Sequence, residues 1–414
     1  MKILLSAYAC KPNRGSEDGY GWNWAKSLSE IGHEVWVLTW AGGREYIEPE
    51  MVREPIPRIH FVYLDDNPSN PIDRLVDATP FHWQYRYFRW QHRALAVVRQ
   101  LDYEVNFDLI HHVTWGSVTA GSRLWQLEKP FVFGPVGGGQ TAPVTLKKYF
   151  LDKWKSEALR SLLFRKFARF NWFFRQTVSH ASLVFATNID TYELAARLGA
   201  GQKQLELFFD PGLPENWFPP EFPSRQNEPE LKLLWVGSLL PRKGIRLTLE
   251  ALSKVDPSIP YKLTIVGDGM QSSSLPQWIR EFGLEKVVDY RGRLPWLEVR
   301  ELYLASNAFF FTSLRDSCPT QFLEAMAYGL PIVTLDIHGA KKFIPPTAGI
   351  KVPVTDADNT VAALANGIEY LYHHPQARIE MGRVGYDFAQ TQTWSAKAER
   401  ATEHYQRLVE AKTI

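Results

Sequence analysis

Phe309–Pro331 reads FFFTSLRDSCPTQFLEAMAYGLP. An apolar run fit for a buried strand ends in Thr312-Ser313, a short loop carries Asp316, and a helix then opens that bears Glu324. Seven residues separate the two carboxylates. That spacing puts the first on the loop ahead of the helix and the second about two turns along it. The helix N-terminus between them offers unpaired backbone N–H groups and the positive end of a dipole. It is a place to hold a phosphate or a polyhydroxyl ligand, with carboxylates ready to accept from hydroxyls. An ordinary strand–loop–helix with two solvated acids fits the spacing equally well.

Outward from this stretch, apolar strand-like runs alternate with helical ones along the whole chain. In the first half they are Lys2–Ala9, Glu34–Trp40, Ile59–Leu64, Leu109–Val113, Phe131–Phe133, Leu183–Ala186 and Leu205–Phe208. In the second they are Leu233–Gly237, Lys262–Val266, Val287–Arg291, Phe309–Thr312, Ile332–Leu335 and Ile350–Val354. Near-continuous apolar strands separated by helices predict parallel sheets buried on both faces. The proline-rich stretch from Asp210 to Pro229 breaks the pattern and reads as a linker. The expected architecture is α/β, with two doubly wound, Rossmann-like domains facing a cleft. The expected bounds are 1–210 for the first domain, 211–390 for linker and second domain, and 391–414 for a C-terminal helix that crosses back to pack on the first domain. Ligands of such sheets lie beyond the carboxyl ends of the strands.

The 414 residues are too many for one typical core. Apolar residues make up 45% and charged ones 22%, a globular balance. A formal net charge of +2 argues against a nucleic-acid binder. Cys10 and Cys318 make neither a disulfide framework nor a zinc site and are expected to be reduced thiols, which fits a cytoplasmic location. The N-terminal apolar run is too short for a signal-peptide core, and no apolar stretch approaches the length of a membrane span.

The order Ser313, acid, seven residues, Glu324-Ala325-Met326, then Gly329-Leu330-Pro331 resembles the signature of retaining glycosyltransferases of the GT-B fold, family 4 (glycosyl transferases group 1). Asp316 stands where that family usually has Glu, so the carboxylate is kept one methylene shorter. A second element supports the likeness. Leu233–Gly237 runs into Ser238-Leu239-Leu240-Pro241-Arg242-Lys243-Gly244. Two adjacent cations at a helix start oppose the dipole, which points to an anion as their partner. The stretch resembles the family's donor-diphosphate element. Gly267-Asp268-Gly269 and Arg293-Leu294 resemble the turns that border the nucleotide. No GxGxxG follows the first strand, which argues against a dinucleotide-dependent dehydrogenase.

In the first half, Lys11–Glu17 resembles the family's first Gly-rich loop, with Gly15 and Ser16 placed to approach the donor and Glu17 on the acceptor side. Gly137-Gly138-Gly139 lets backbone approach a ligand closely, and this loop is assigned to the acceptor. His111 and His112 end another strand and point to opposite faces. His111 is expected to face the cleft, with His112 on the acceptor side.

The resemblance implies transfer of a hexose, with UDP-glucose the expected donor, to a hydroxyl of a polysaccharide-precursor or lipid-linked acceptor, with retention. Asp316, Arg242, Lys243 and His111 are the expected catalytic groups. Gly237, Ser238, Gly267, Arg293, Leu294, Ser317, Cys318, Pro319, Thr320 and Glu324 complete the donor site, and Glu324 takes the ribose. No cofactor and no metal are expected, Asp356-Ala357-Asp358 reading as a polar loop. A nucleotide-sugar epimerase of the same architecture and a non-catalytic sugar-nucleotide binding protein are the competing readings. No nucleic-acid partner is expected.

Two segments are basic and aromatic. Phe81–Arg99 carries four arginines among aromatics such as Trp83 and no acid, and Leu146–Arg175 holds nine lysines and arginines against Asp152 and Glu157, a net of +7. Such helices suit an anionic membrane surface, so a peripheral position at the inner face of the membrane is expected. A core helix with a solvated face has the same composition.

Overall fold

A computed structural model describes residues 1–67, 82–167, 170–225 and 229–413. The apolar runs form two sheets. The first holds β1 (Lys2–Ser6), β2 (Glu34–Trp40), β3 (Ile59–Leu64), β4 (Leu109–His112), β5 (Phe131–Val136), β6 (Leu183–Ala186) and β7 (Leu205–Leu207). Their order is β3-β2-β1-β4-β5-β6-β7. The second holds β8 (Leu231–Val236), β9 (Tyr261–Val266), β10 (Val288–Tyr290), β11 (Ala308–Phe310), β12 (Ile332–Leu335) and β13 (Gly349–Val352), ordered β10-β9-β8-β11-β12-β13. Every pairing is parallel. Both sheets thus follow the doubly wound order, in which the strand sequence reverses beside the first strand. The reversals fall between β1 and β4 and between β8 and β11.

The chain groups into two compact units. The first comprises Met1–Gly139, Lys166–Asp210 and Trp394–Ile414, and the second Gln140–Arg165 and Pro211–Thr393. The expected first domain, 1–210, is therefore interrupted. Gln140–Arg165 joins the second unit because its side chains bind there. Lys148 Nζ pairs with Glu250 at 2.7 Å, Arg315 Nε with Glu157 at 2.9 Å, and Gln140 Nε2 donates to Ser317 Oγ at 3.1 Å. The proline-rich linker is no loose tether either. Trp217 is fully buried, stacks on Trp296 with centroids 4.3 Å apart, and its carbonyl accepts from Tyr328 Oη at 2.9 Å.

The helix Trp394–Thr413 closes one face of the first unit. Trp394, Ala398, Ala401 and Tyr405, spaced at three to four residues, fall on one stripe. They join Ile3, Leu5 and Trp24 in a single apolar core. Among the described residues no helix is long and apolar enough to cross a membrane.

Trp394 is almost fully buried against Tyr20 and Trp24. Trp394→Ala is expected to cost about 3–5 kcal/mol, read as an earlier first transition in urea. An unchanged midpoint contradicts this account of the core.

Candidate functional site

In the second unit the site is built where β8 and β11 lie side by side. Their loops leave the sheet together and are stitched by backbone. Leu314 N donates to Arg242 O at 2.7 Å, Thr312 Oγ1 to Gly244 O at 2.8 Å and Ser313 Oγ to Arg242 O at 3.2 Å. Gly244 permits this approach. Its φ is +72°, and a Cβ there would lie 2.2 Å from Thr312 O. Gly267, with φ +133°, likewise lets β9's exit pass within 1.9 Å of Gly237 O as measured to a hypothetical Cβ.

The close approach brings three charges together. Asp316 Oδ2 accepts from Arg242 Nη1 at 3.1 Å, from Lys243 Nζ, and from Ser313 Oγ at 3.4 Å. None of these bonds uses Oδ1. Lys243 is buried, and that burial pushes its ammonium below the usual range, with Asp316 opposing. Burial alone would raise the Asp316 carboxyl, but Lys243 and Arg242 outweigh it and hold it below its ordinary value. For Asp316 the cationic neighbours decide. For Lys243 the loss of water does.

The next loop is braced from the inserted segment and from behind. Ser317 accepts from Gln140, whose carbonyl accepts from Arg160 at 3.0 Å. Gly339 backs the loop, since a Cβ there would lie 1.7 Å from Ser317 O. Cys318, Pro319 and Thr320 are buried at the start of the helix Thr320–Ala327. Gly329, at φ +65°, ends that helix's run, with Leu330 N bonded to Ala325 O.

Glu324 sits just past the first turn of this helix, closer to its start than the spacing implies, and is nearly fully buried. Trp296 Nε1 donates to its Oε1 and Tyr303 Oη to its Oε2, both at 2.8 Å. Burial raises the carboxyl above its ordinary value, and these two bonds offset only part of that. A carboxylate has about four acceptor positions, so the two donors that orient Glu324 leave further acceptor positions unused. Trp296 and Tyr303 escaped the sequence reading. An aromatic pair ahead of β11 carries no signal without the fold. Ser238 and Arg293 are exposed, and Gly237 and Leu294 half-buried, around the same strand ends.

The formal DxD resolves into a helix cap. Asp356 accepts from Asn359 N at the start of the helix Ala357–His373, and Asp358 lies 3.7 Å from Lys148. Among the described residues no group of His, Cys, Asp and Glu is placed to hold a metal ion.

In the first unit the corresponding reversal, between β1 and β4, is aromatic. Tyr8 packs on Trp115 at 4.9 Å and Tyr87 at 5.1 Å, while Tyr8 Oη and Trp40 Nε1 both donate to buried Asp66, at 3.0 and 2.8 Å. A cavity of about 570 Å³ opens beside Trp115, lined also by Glu17, Tyr87 and Gln91. Glu17 Oε1 accepts from Trp115 N at 2.5 Å, and burial raises its carboxyl. Asp210 is raised well above the usual range by burial and then by Glu17, with Lys397 opposing. Sequence reading found Glu17 but not Trp115, Tyr8 or Asp210. Aromatics placed at the carboxyl ends of neighbouring strands were the available signal.

The expectation that His111 faces the ligand side is corrected. His111 is fully buried, its Nε2 bonded to Gly134 O at 2.7 Å and its Nδ1 to Tyr405 Oη at 2.6 Å, beneath the C-terminal helix. Desolvation pushes it down to about 3. His112 points the other way, to Ser6 Oγ and to Tyr87 Oη at 3.1 Å, and supports the cavity from behind. In the glycine loop, Gly138 and Gly139 have φ +125° and +85°, and Gly138 O accepts from Thr191 Oγ1 at 2.5 Å. Gly137 forms an isolated bridge with Ser117. Backbone geometry alone therefore accounts for glycine there. Gly15 is half-buried, and Ser16, at φ +58°, precedes the helix Glu17–Glu30 without a side-chain capping bond.

Residues 220–388 match the family model described as glycosyl transferases group 1. Over 241 residues the chain is 26% identical to a D-inositol 3-phosphate glycosyltransferase of Paenarthrobacter aurescens, a match covering 55% of this chain and 58% of that one. The matched stretch spans about half the length of such curated relatives. Among solved structures, a sucrose-phosphate synthase from Thermosynechococcus elongatus superposes with a TM-score of 0.69 at 19% identity, covering 99% of both chains. HepE of Anabaena, solved with UDP and glucose, superposes with a TM-score of 0.59 at 16% identity over 98% of this chain and 100% of that one. These likenesses show a shared GT-B fold.

Gly244→Ala is expected to cost at least about 1–2 kcal/mol from the left-handed backbone alone, measured by thermal or urea unfolding. Stability equal to wild type refutes the stitched-loop geometry. For Glu324, a folded value above the unfolded one makes ionisation a cost. That cost is absent below the unfolded value and grows as pH rises towards the folded one. Glu324→Gln should therefore gain on wild type in unfolding experiments as pH rises from about 4 to about 7. The opposite trend contradicts the burial reading.

Proposed function

We propose that this chain, whose residues 220–388 match the glycosyl transferases group 1 family model, moves a hexose from a nucleotide-sugar to an acceptor hydroxyl. The observation that carries the reading is the Lys243–Asp316–Arg242 cluster at the β8/β11 reversal, with Lys243 buried and Arg242 and Asp316 half-buried. Two cations share one carboxylate, which leaves a net positive charge facing the strand ends where doubly wound sheets take their ligands. A diphosphate supplies the missing anion. Arg242 offers a fork and Lys243 a point charge.

In this reading the bond from the sugar C1 to the β-phosphate oxygen breaks, and the acceptor oxygen bonds to C1 from the same face. The acceptor's proton goes to the departing phosphate. Arg242, Lys243 and the helix N-terminus at Thr320 stabilise the charge that develops on the diphosphate. Fixed dipoles and charges are usually the largest catalytic term, and with them no metal is needed. Asp316, already anchored through Oδ2, keeps Oδ1 for a donor-sugar hydroxyl. Glu324, oriented by Trp296 and Tyr303, takes the ribose diol. The aromatic cavity of the first unit, with Glu17 at its wall, has the chemistry to stack and bond a saccharide acceptor.

UDP-glucose is the donor we favour, in keeping with the UDP and glucose in the HepE structure. A hydroxyl of a polysaccharide precursor or of a lipid-linked sugar is the acceptor, and the anomeric configuration is retained.

A thermal-shift panel of UDP, GDP and ADP with EDTA present tests the donor part. UDP at about 100 times its Kd should stabilise wild type by about 2.7 kcal/mol. Lys243→Met should weaken UDP binding by roughly 10- to 100-fold. No stabilisation by any of the three nucleotides refutes the reading.

A further inference from the structure

The helix Trp154–Phe167 is inside out. Glu157 and Ser161 are each only 7% exposed, while Leu159, Leu162 and Leu163 are 55%, 43% and 45% exposed. The three leucines, spaced i, i+3 and i+4, share one face. The inward face is polar by construction: Glu157 accepts from Arg160 at 2.9 Å and pairs with Arg315, and Ser161 Oγ reaches its Oε1. Rotating the helix to bury the leucines would break these contacts. The polar face is thus fixed towards the Asp316 loop, and the apolar face is fixed outward.

Two further exposed apolar residues, Val144 and Leu151, precede the helix, and Leu151 is held at φ 52°. Between and beside them stand Lys147, Lys153 and Lys155, all exposed, against Asp152 as the exposed acid. Lys155 lies one turn before Leu159 on the same face. Of the aromatics of this region Tyr149, Phe150 and Phe174 are buried, while Phe170 and Trp172, beyond the helix, are exposed. On the helix Trp154–Phe167 itself the outward apolar face is made of leucines. Arg165, Lys166, Phe167 and Arg169, as well as Phe81 and Trp83, lie outside the described side chains. In the segment Phe81–Arg99, Tyr87 and Trp90 are buried and Phe88 is exposed.

We infer that the surface formed by Val144–Leu163 docks the second unit on an anionic phospholipid bilayer. Leucines flanked by lysines match the two halves of such a surface, acyl chains beneath and negative headgroups around. This inference stands apart from the transfer reading, because UDP binding and lipid binding are measured separately.

Flotation of the full-length protein tests it, with phosphatidylcholine vesicles and with vesicles that also contain phosphatidylglycerol. Wild type should float with the anionic vesicles and stay unbound with phosphatidylcholine alone. Leu159→Ser/Leu162→Ser/Leu163→Ser should lose flotation. Lys147→Glu/Lys153→Glu/Lys155→Glu should weaken it by about fivefold or more for each charge reversed. All six side chains are exposed, so an unchanged melting temperature verifies folding. Wild type that fails to float, leucine variants that float like wild type, or leucine-dependent dimers without flotation each overturn the inference.

Discussion

Asp316 stands between Arg242 and Lys243, and much of the second unit is arranged so that it can. A buried lysine without a partner is costly, and two cations ahead of the helix Ile245–Leu252 oppose its dipole. The carboxylate offsets both costs, but only if two loops from different strands run almost in contact. The doubly wound order makes β8 and β11 neighbours although some seventy residues of chain lie between them. Gly244 removes the Cβ that would collide with Thr312 O. Arg315 then ties the same loop to Glu157, and through it to the inserted segment. One ion cluster thus links sheet topology, loop geometry and the placement of Gln140–Arg165.

The two units use one topology for different chemistry. At its strand reversal the second unit gathers cations, a helix start and an oriented carboxylate, which suit an anionic, hydroxyl-rich ligand. The first packs Tyr8 against Tyr87 and Trp115, and these last two line a cavity edged by Glu17, which suits a ring-shaped polyhydroxyl one. Buried histidines serve the frame instead. His111 locks β4 to Tyr405, and His112 holds Tyr87 in place.

Much of this is legible in the sequence. Thirteen apolar runs correspond to thirteen strands among the described residues, because parallel strands are buried on both faces and need no alternation. Arg242-Lys243 and the Asp316–Glu324 spacing drew attention separately. Their mutual contact was not visible, since it depends on which strands become neighbours. Strand alternation said that His111 and His112 oppose each other. It could not say which face a helix nearly three hundred residues later would cover. Chain continuity likewise hid the transfer of Gln140–Arg165 to the second unit, and composition hid that its helix turns glutamate inward and leucine outward. In each case the missing information was a long-range contact.

The central claim is that the Arg242–Lys243 pair exchanges part of its partnership with Asp316 for a donor diphosphate. A crystal structure with UDP, grown with EDTA present, tests it most directly. The account predicts diphosphate oxygens within hydrogen-bond distance, about 2.7–3.2 Å, of both Arg242 and Lys243, with the ribose hydroxyls on Glu324. A nucleotide bound elsewhere, with the Asp316 cluster untouched, would contradict it.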